Sequence, residues 1–453
     1  MQSEMFATLP PTKLFFKCAV PAVVTSVFGA LYSVVDGIFV GRFLGSDALA
    51  AINLIMPIIM IVEAISNMIA TGASVNISML LGKQKREEAS AVFSFSIKFI
   101  LAFSTVIGVL GFFLAKPFVT LIAPGATAEA IRLSTIYLKV FAVFGPLIPM
   151  YFATDNYLRV CGKQKESMII NIVSQVLNVA LNFLLIIVLH KGVLGAAIGS
   201  CISIAFGSVT TLLMFLGKKM DVYYTRKSIP FKQFVHIAWN GASEFFSNIA
   251  ASIMSVVLNL FLLNFGGTTA VAAFSIVMYV DQIIGMLNFG ITDSLQPAIS
   301  YCYGAGLHDR MKAIFKRVLA ATVATSLVAF LFMLIVGPYA TRIFVKPGDT
   351  ELLAMSITAV RIFAFSYLVG WIDMCFSSYF TALDQPNRSI VVSVFGTVAF
   401  PVFFLFVLTG IFGLNGVWLM PTVAGLASGI LTLGLVKTLK LKVPRTMLPE
   451  SSP

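Results

Sequence analysis

Charge is scarce in this sequence. Of its 453 residues, 11% are Asp, Glu, Lys or Arg while 58% are hydrophobic, which excludes a soluble globule with its apolar side chains hidden inside. Histidine is scarcer still: His190, His236 and His308 are the only three, and no H-E-x-x-H pair occurs. No G-x-x-x-x-G-K-[ST] loop is present to cradle nucleotide phosphates, so the chain holds no ATPase of its own. No nucleophile–base or metal constellation of the kind an intramembrane hydrolase needs stands out, so neither an enzyme nor a resident cofactor is expected. The five cysteines (Cys18, Cys161, Cys201, Cys302 and Cys375) are scattered without a C-x-x-C pair and read as small apolar residues or loop thiols.

What the chain does contain is long apolar runs. About 20 apolar residues cross a bilayer as a helix. Twelve spans are expected, at 14–40, 48–81, 92–115, 133–157, 167–189, 194–216, 237–264, 270–301, 314–338, 354–380, 389–411 and 414–436. Several of these are long enough that they should tilt or project into the cytoplasm. The first run is too long for a signal-peptide core and no small-residue cleavage site follows it, so no cleaved signal is expected.

The net charge of +12 would suit a nucleic-acid partner, but its placement argues otherwise. Arg42, Lys116, Arg132, Lys191, Arg342 and Lys346 fall on one side, and Lys98, Lys139 and Arg361 lie within spans. All other Lys and Arg sit on the alternate connections, among them Lys83, Lys85, Arg86, Lys163, Arg310 and Arg388. This is the positive-inside bias, which puts both termini in the cytoplasm. The partner it implies is a lipid bilayer, and no nucleic acid is expected.

A shift of 222 residues lays one half of the chain on the other. "LGSDALAAINLIM" (44–56) meets "GGTTAVAAFSIVM" (266–278), Ile77-Ser78 meets Ile299-Ser300, and Lys139-x-Phe141-Ala142 meets Arg361-x-Phe363-Ala364. Six spans per half make both halves enter from the same side, as in transporters that enclose a site between parallel repeats. The expected division is an N-lobe at 1–216, a cytoplasmic linker at 217–236, a C-lobe at 237–436 and a cytoplasmic tail at 437–453. With no nucleotide motor, a carrier driven by an ion gradient remains.

Seven acids fall inside the spans: Asp36, Glu63, Asp155, Glu244, Asp281, Asp293 and Asp373. An ionised Asp near a bilayer centre costs about 2.5–3.5 kcal/mol on insertion scales, so such groups face a protein interior or a wet cavity. Asp155 and Asp293 lie near the cytoplasmic ends and read equally as solvated groups or caps. Glu63 and Asp281 are mid-span, candidates to line a cavity. Lys139 and Arg361 either snorkel or pair with an acid of their own lobe, Lys139 with Asp36. The many Met and Phe residues serve mainly as packing and lipid contact, with some lining the cavity.

"VVDGIFVGRFLGSDALAA" (34–51), "LQPAISYCYGAG" (295–306), and "VCGKQK" (160–165) with "LNVALNF" (177–183) resemble the multidrug and toxic compound extrusion family. The family lies within the wider superfamily of multidrug, oligosaccharide-lipid and polysaccharide exporters. The likeness runs from Pro21 to about Lys437 and looks closest to bacterial branches, which implies a bacterial cell membrane. It implies a V-shaped all-α bundle of two six-helix lobes around a central cavity. Such a protein, as a monomer, would export organic cations in exchange for H⁺ or Na⁺.

Position by position, the resemblance makes Asp36 the cation-linked Asp of helix 1 and Pro21 the site of that helix's bend. Asn178 and Ser200 match polar neighbours on helices 5 and 6. Asn182 departs from the pattern, since N-x-x-L-Asp is usual and the chain has N-x-x-L-Asn. The loss of that carboxylate points away from Na⁺ and toward protonation of Asp36. "GASEFFSN" (241–248) matches the helix 7 segment that makes Glu244 a cation ligand or proton carrier, with Asp373 as its partner on span 10. The rival readings are a flippase for a lipid-linked saccharide, which calls for a cationic cavity, and a membrane receptor or structural protein, which the ionisable groups in both halves disfavour.

Overall fold

The computed structural model describes residues 2–39, 43–44, 46–122, 125, 127–217, 220–345 and 348–439. Arg42, Lys218, Lys219, Lys346 and all but the first residues of the expected tail lie outside the described residues. Among the described residues all regular structure is helical.

The chain forms two compact units, Met1–Thr8 with Val20–Gly241, and Leu9–Ala19 with Ala242–Pro453. The first holds α1 (Met5–Thr8), most of α2 (Pro11–Phe39), α3 (Ser46–Gly82), α4 (Arg86–Ile122), α5 (Ala128–Phe144), α6 (Ile148–Val160), α7 (Gln164–Asn182), α8 (Gly192–Phe215) and the start of α9 (Phe231–Ser294). The second holds the rest of α9, then α10 (Gln296–Gly304), α11 (His308–Ile335), α12 (Gly337–Phe344), α13 (Thr350–Ala364) and α14 (Tyr367–Ala382). It ends with α15 (Pro386–Val394), α16 (Phe400–Phe412) and α17 (Leu414–Lys437). Short π-helical segments, Phe183–Val188 and Phe395–Ala399, extend α7 and join α15 to α16.

Nine helices are long and apolar enough to cross a bilayer, and the bent pairs α5–α6 (46°) and α13–α14 (52°) raise the total to eleven among the described residues. That total takes α9 once. Its 64 residues, at about 1.5 Å each, would stretch to about three times the ~30 Å hydrocarbon core. The helical path breaks at Gly267, where φ is 63° and ψ is −158°, backbone angles that only glycine adopts readily. This break separates the spans expected at 237–264 and 270–301, and helices then account for all twelve.

The repeat is also visible in the elements. The starts of α4, α5, α7 and α8 at Arg86, Ala128, Gln164 and Gly192 return as those of α11, α13, α15 and α17, each 222 residues on. The N-caps return with them. Thr127 accepts from the Ala130 N–H at 3.1 Å, and Asp349 from the Leu352 N–H at 3.1 Å, each meeting one of the donors a helix start leaves unpaired.

Lipid tails are as apolar as leucine, so such helices associate by close packing at small residues. In the first unit α3 meets the start of α9 backbone to backbone. A methyl on Gly72 would overlap the Ile237 carbonyl, and one on Gly241 the Met68 carbonyl. This contact carries the first unit to Gly241, past the linker expected at 217–236. Part of that linker is itself anchored: Arg86 donates to the carbonyls of Asp221 (2.9 Å) and Met220 (2.6 Å). The Asp221 carboxylate in turn accepts from the Gln2 and Ser3 N–H groups at 3.1 and 2.6 Å. The core of the second unit is built around Trp418, 1% exposed, with Leu262, Met333, Phe363 and Leu405.

Candidate functional site

In the first unit α2 presents Asp36 to α7. Asn182 Nδ2 donates to Asp36 Oδ1 at 2.7 Å and to Asn178 Oδ1 at 2.8 Å. Asn178 Nδ2 donates in turn to the hydroxyls of Ser200 (3.2 Å) and Ser203 (3.1 Å) on α8. All four residues singled out on these helices therefore meet in one network, and Ser203 joins them. Ser203 carries no sequence signal, because a serine on a buried helix face looks like any small residue. Tyr32, one turn before Asp36, and Tyr137 on α5 lie within electrostatic range of the carboxylate. The donor that reaches Asp36 is the Asn182 amide N–H, which suits an anion there, whereas Asn178 Nδ2 is turned away toward α8. α2 continues through Pro21 as one helix, with the Thr25 hydroxyl donating to the Pro21 carbonyl at 2.9 Å.

The second unit encloses a cavity of about 620 Å³ lined by four carboxylates, Glu244, Asp281, Asp293 and Asp373. Three come from α9, on both sides of the break at Gly267, and Asp373 comes from α14. No Lys, Arg or His stands among its described lining residues. Asp373 Oδ1 accepts from the Ser428 hydroxyl of α17 at 2.5 Å, and Asp281 Oδ1 from the Tyr367 phenol at 3.0 Å. Glu244 and Asp293 lie within electrostatic range of each other. The rest of the wall mixes Met254, Met278, Met374 and Met420 with Phe274, Phe289 and Phe363, and with Ser and Thr hydroxyls. Thioethers reshape easily around different apolar bodies, aromatic faces attract cations, and carboxylates hold positive charge. A sequence reading that left Asp293 as a solvated group or cap missed its place beside Glu244, since it lies close to the end of the span expected at 270–301.

The remaining candidates go elsewhere. Asp155 is held by Arg159 Nη2 at 2.5 Å, by Asn171 Nδ2 at 2.8 Å and by the Ser167 hydroxyl, a saturated structural cluster. The i,i+4 spacing of Asp155 and Arg159 was its sequence signal. Lys139 does not meet Asp36; its ammonium stands 5.4 Å from the centre of the Phe112 ring. Arg361 is exposed in the last turn of α13 and forms no ion pair among the described residues. Glu63 lines a separate pocket between α3, α4 and α5. No group of three or more His, Cys, Asp or Glu is placed to hold a metal ion among the described residues.

Comparison with known proteins agrees with this architecture. The MatE family model matches residues 21–184 and 245–407, one stretch in each unit. The multidrug export protein MepA of Staphylococcus saprophyticus is 29% identical over 405 residues, covering 88% of this chain and 87% of that one. Two solved structures share the fold at 21% identity and 96% coverage of this chain. An outward-facing multidrug resistance MATE family transporter superposes with a TM-score of 0.88 over 97% of its length. A MATE protein in complex with MaL6 superposes with a TM-score of 0.87 over 99% of its length. With its two repeats matched in turn, the chain belongs to the MatE family of multidrug and toxic compound extrusion transporters.

Proposed function

We propose that the chain exports amphipathic, often cationic small molecules in exchange for an inward-moving cation, with H⁺ rather than Na⁺ as the coupling ion. The observation that carries this reading is the cavity of about 620 Å³ with four carboxylates, a methionine- and phenylalanine-rich wall and no basic lining residue among those described. An organic cation fits both features at once. A lipid-linked pyrophosphate would be repelled by the same wall, so the flippase reading gains nothing from this site. The family relationship to MepA, a multidrug export protein, supports the same direction. Proton coupling is favoured at Asp36, where Asn182 offers an N–H donor and not an oxygen ligand. A proton arriving on a cavity carboxylate would cancel the charge that holds the substrate, which makes the two occupants exclusive.

The test is efflux of a fluorescent organic cation from proteoliposomes under separately imposed H⁺ and Na⁺ gradients. Export under the H⁺ gradient alone is the expected result. Export only under a Na⁺ gradient would overturn the choice of ion, and transport indifferent to both gradients would overturn coupled exchange.

A further inference from the structure

Glu63 on α3 differs from Asp36, Asp155, Asp281 and Asp373, and unlike Glu244 it lies apart from the acid-lined cavity of the second unit. Asp36, Asp155, Asp281 and Asp373 each accept at least one hydrogen bond, whereas Glu63 has neither a hydrogen bond nor an ion pair among the described residues. Among the described residues it is the sole charged one lining a pocket of about 250 Å³ between α3, α4 and α5. The other polar side chain there is Ser104, whose hydroxyl donates to the Ile100 carbonyl of its own helix at 2.5 Å. The rest of the wall is hydrocarbon, and Leu110, Leu114 and Phe118 on its α4 side are 49%, 52% and 40% exposed on the apolar outer face of that helix.

An ionised carboxylate in hydrocarbon is stabilised by a counter-charge, and none stands among the described lining residues. The pocket gives that charge an apolar body to arrive with. An engineered cavity of about 150 Å³ takes benzene, so about 250 Å³ suits a body of about eight to ten carbons. The space is open beside Gly111, where a Cβ would meet only the Ala142 Cβ at 3.6 Å. At Gly108 a Cβ would come within 2.6 Å of the Ala142 carbonyl, so that glycine serves the α4–α5 contact instead.

We infer that the α3–α4–α5 pocket is a binding site for one small amphiphilic monocation, an ammonium on a short apolar body, with Glu63 as its counter-ion and the lipid face of α4 as its entrance. The site is separate from the acid-lined cavity of the second unit and does not depend on the transport reading. Its test therefore needs a local readout that binding at the other cavity does not move.

The probe is an octylammonium carrying a diazirine at the end of its chain, photo-crosslinked to the full-length protein, with labelled peptides mapped by mass spectrometry. Labelling is expected within 104–118 and 138–149, saturable by unlabelled n-octylammonium and about tenfold less sensitive to 1-octanol, which lacks the charge. Glu63→Gln removes the charge and keeps the shape; Gly111→Leu keeps the charge and fills the space. Each should lower saturable labelling of these segments about tenfold or more while the protein still elutes as a single species. If Glu63→Gln fails to fold, Gly111→Leu and the octanol competition still decide. The site is refuted by an absence of labelling in these segments, by competition equal for amine and alcohol, or by labelling that survives either folded variant.

Discussion

Asn182 donates from one nitrogen to both Asp36 Oδ1 and Asn178 Oδ1, at 2.7 and 2.8 Å, while its own Oδ1 accepts no hydrogen bond among the described residues. Gly199 lies against that oxygen; a Cβ there would approach it to 2.6 Å. The amide is thereby fixed as a donor to the carboxylate, and Asp36 is left as the one group of the network able to take up and release a proton. Asp36→Asn is nearly isosteric and removes that ability. It should leave a folded protein with gradient-driven export lost, which dye efflux together with the elution profile would check; wild-type rates would refute the role. Asn182→Asp should act differently, because two carboxylates this close cannot both stay ionised without a bridging cation. Export by that variant should gain a dependence on Na⁺, measurable as stimulation by NaCl over choline chloride at fixed pH. The gathering of Asp36, Asn178, Asn182 and Ser200 was legible in the sequence. The serine, tyrosine and asparagine partners of Asp155, Asp281 and Asp373 were not, since neutral hydroxyls and amides on apolar helices carry no pattern that marks their orientation.

Among the elements, the second π-helical segment, Phe395–Ala399, brings the backbone of Gly396 against Asp373. A methyl at 396 would overlap Asp373 Oδ2 and come within 3.1 Å of the Ser428 hydroxyl that bonds the same carboxylate. Departures from α-helical winding of this kind often mark functional sites. Gly396→Ala should push Asp373 off Ser428 and cost about 1–3 kcal/mol of stability, as overpacking does. The matching measurement is thermal unfolding in detergent alongside organic-cation binding, with both expected to fall; unchanged values would mean the segment relaxes freely. The π segments and one of the two bends could not be read from sequence. Gly145 and Pro146 announce the α5–α6 bend, but the α13–α14 bend falls at Phe365 and Ser366, where no breaker residue stands. The break in α9 was legible, because Gly266 and Gly267 followed by two threonines interrupt an otherwise continuous apolar run.

Over the whole molecule, the 222-residue period organises helix starts, N-caps and bent pairs alike. It was readable because a repeat matches many weak positions at one offset. The membrane sidedness proposed from Lys and Arg placement rests on charge alone, and it can be put to chemical test with little preparation. All five cysteines are buried and none forms a disulfide among the described residues. Burial pushes the Cys161 thiol up to about 12, so near neutral pH almost none of it is the thiolate that reacts. Lys83 and Lys191 are exposed and are expected on opposite sides. A membrane-impermeant maleimide added to right-side-out cells should label Lys191→Cys at once and Lys83→Cys only after the cells are opened. The native chain, by keeping its own sulfur out of water, is already a nearly silent background for placing reporter thiols one at a time.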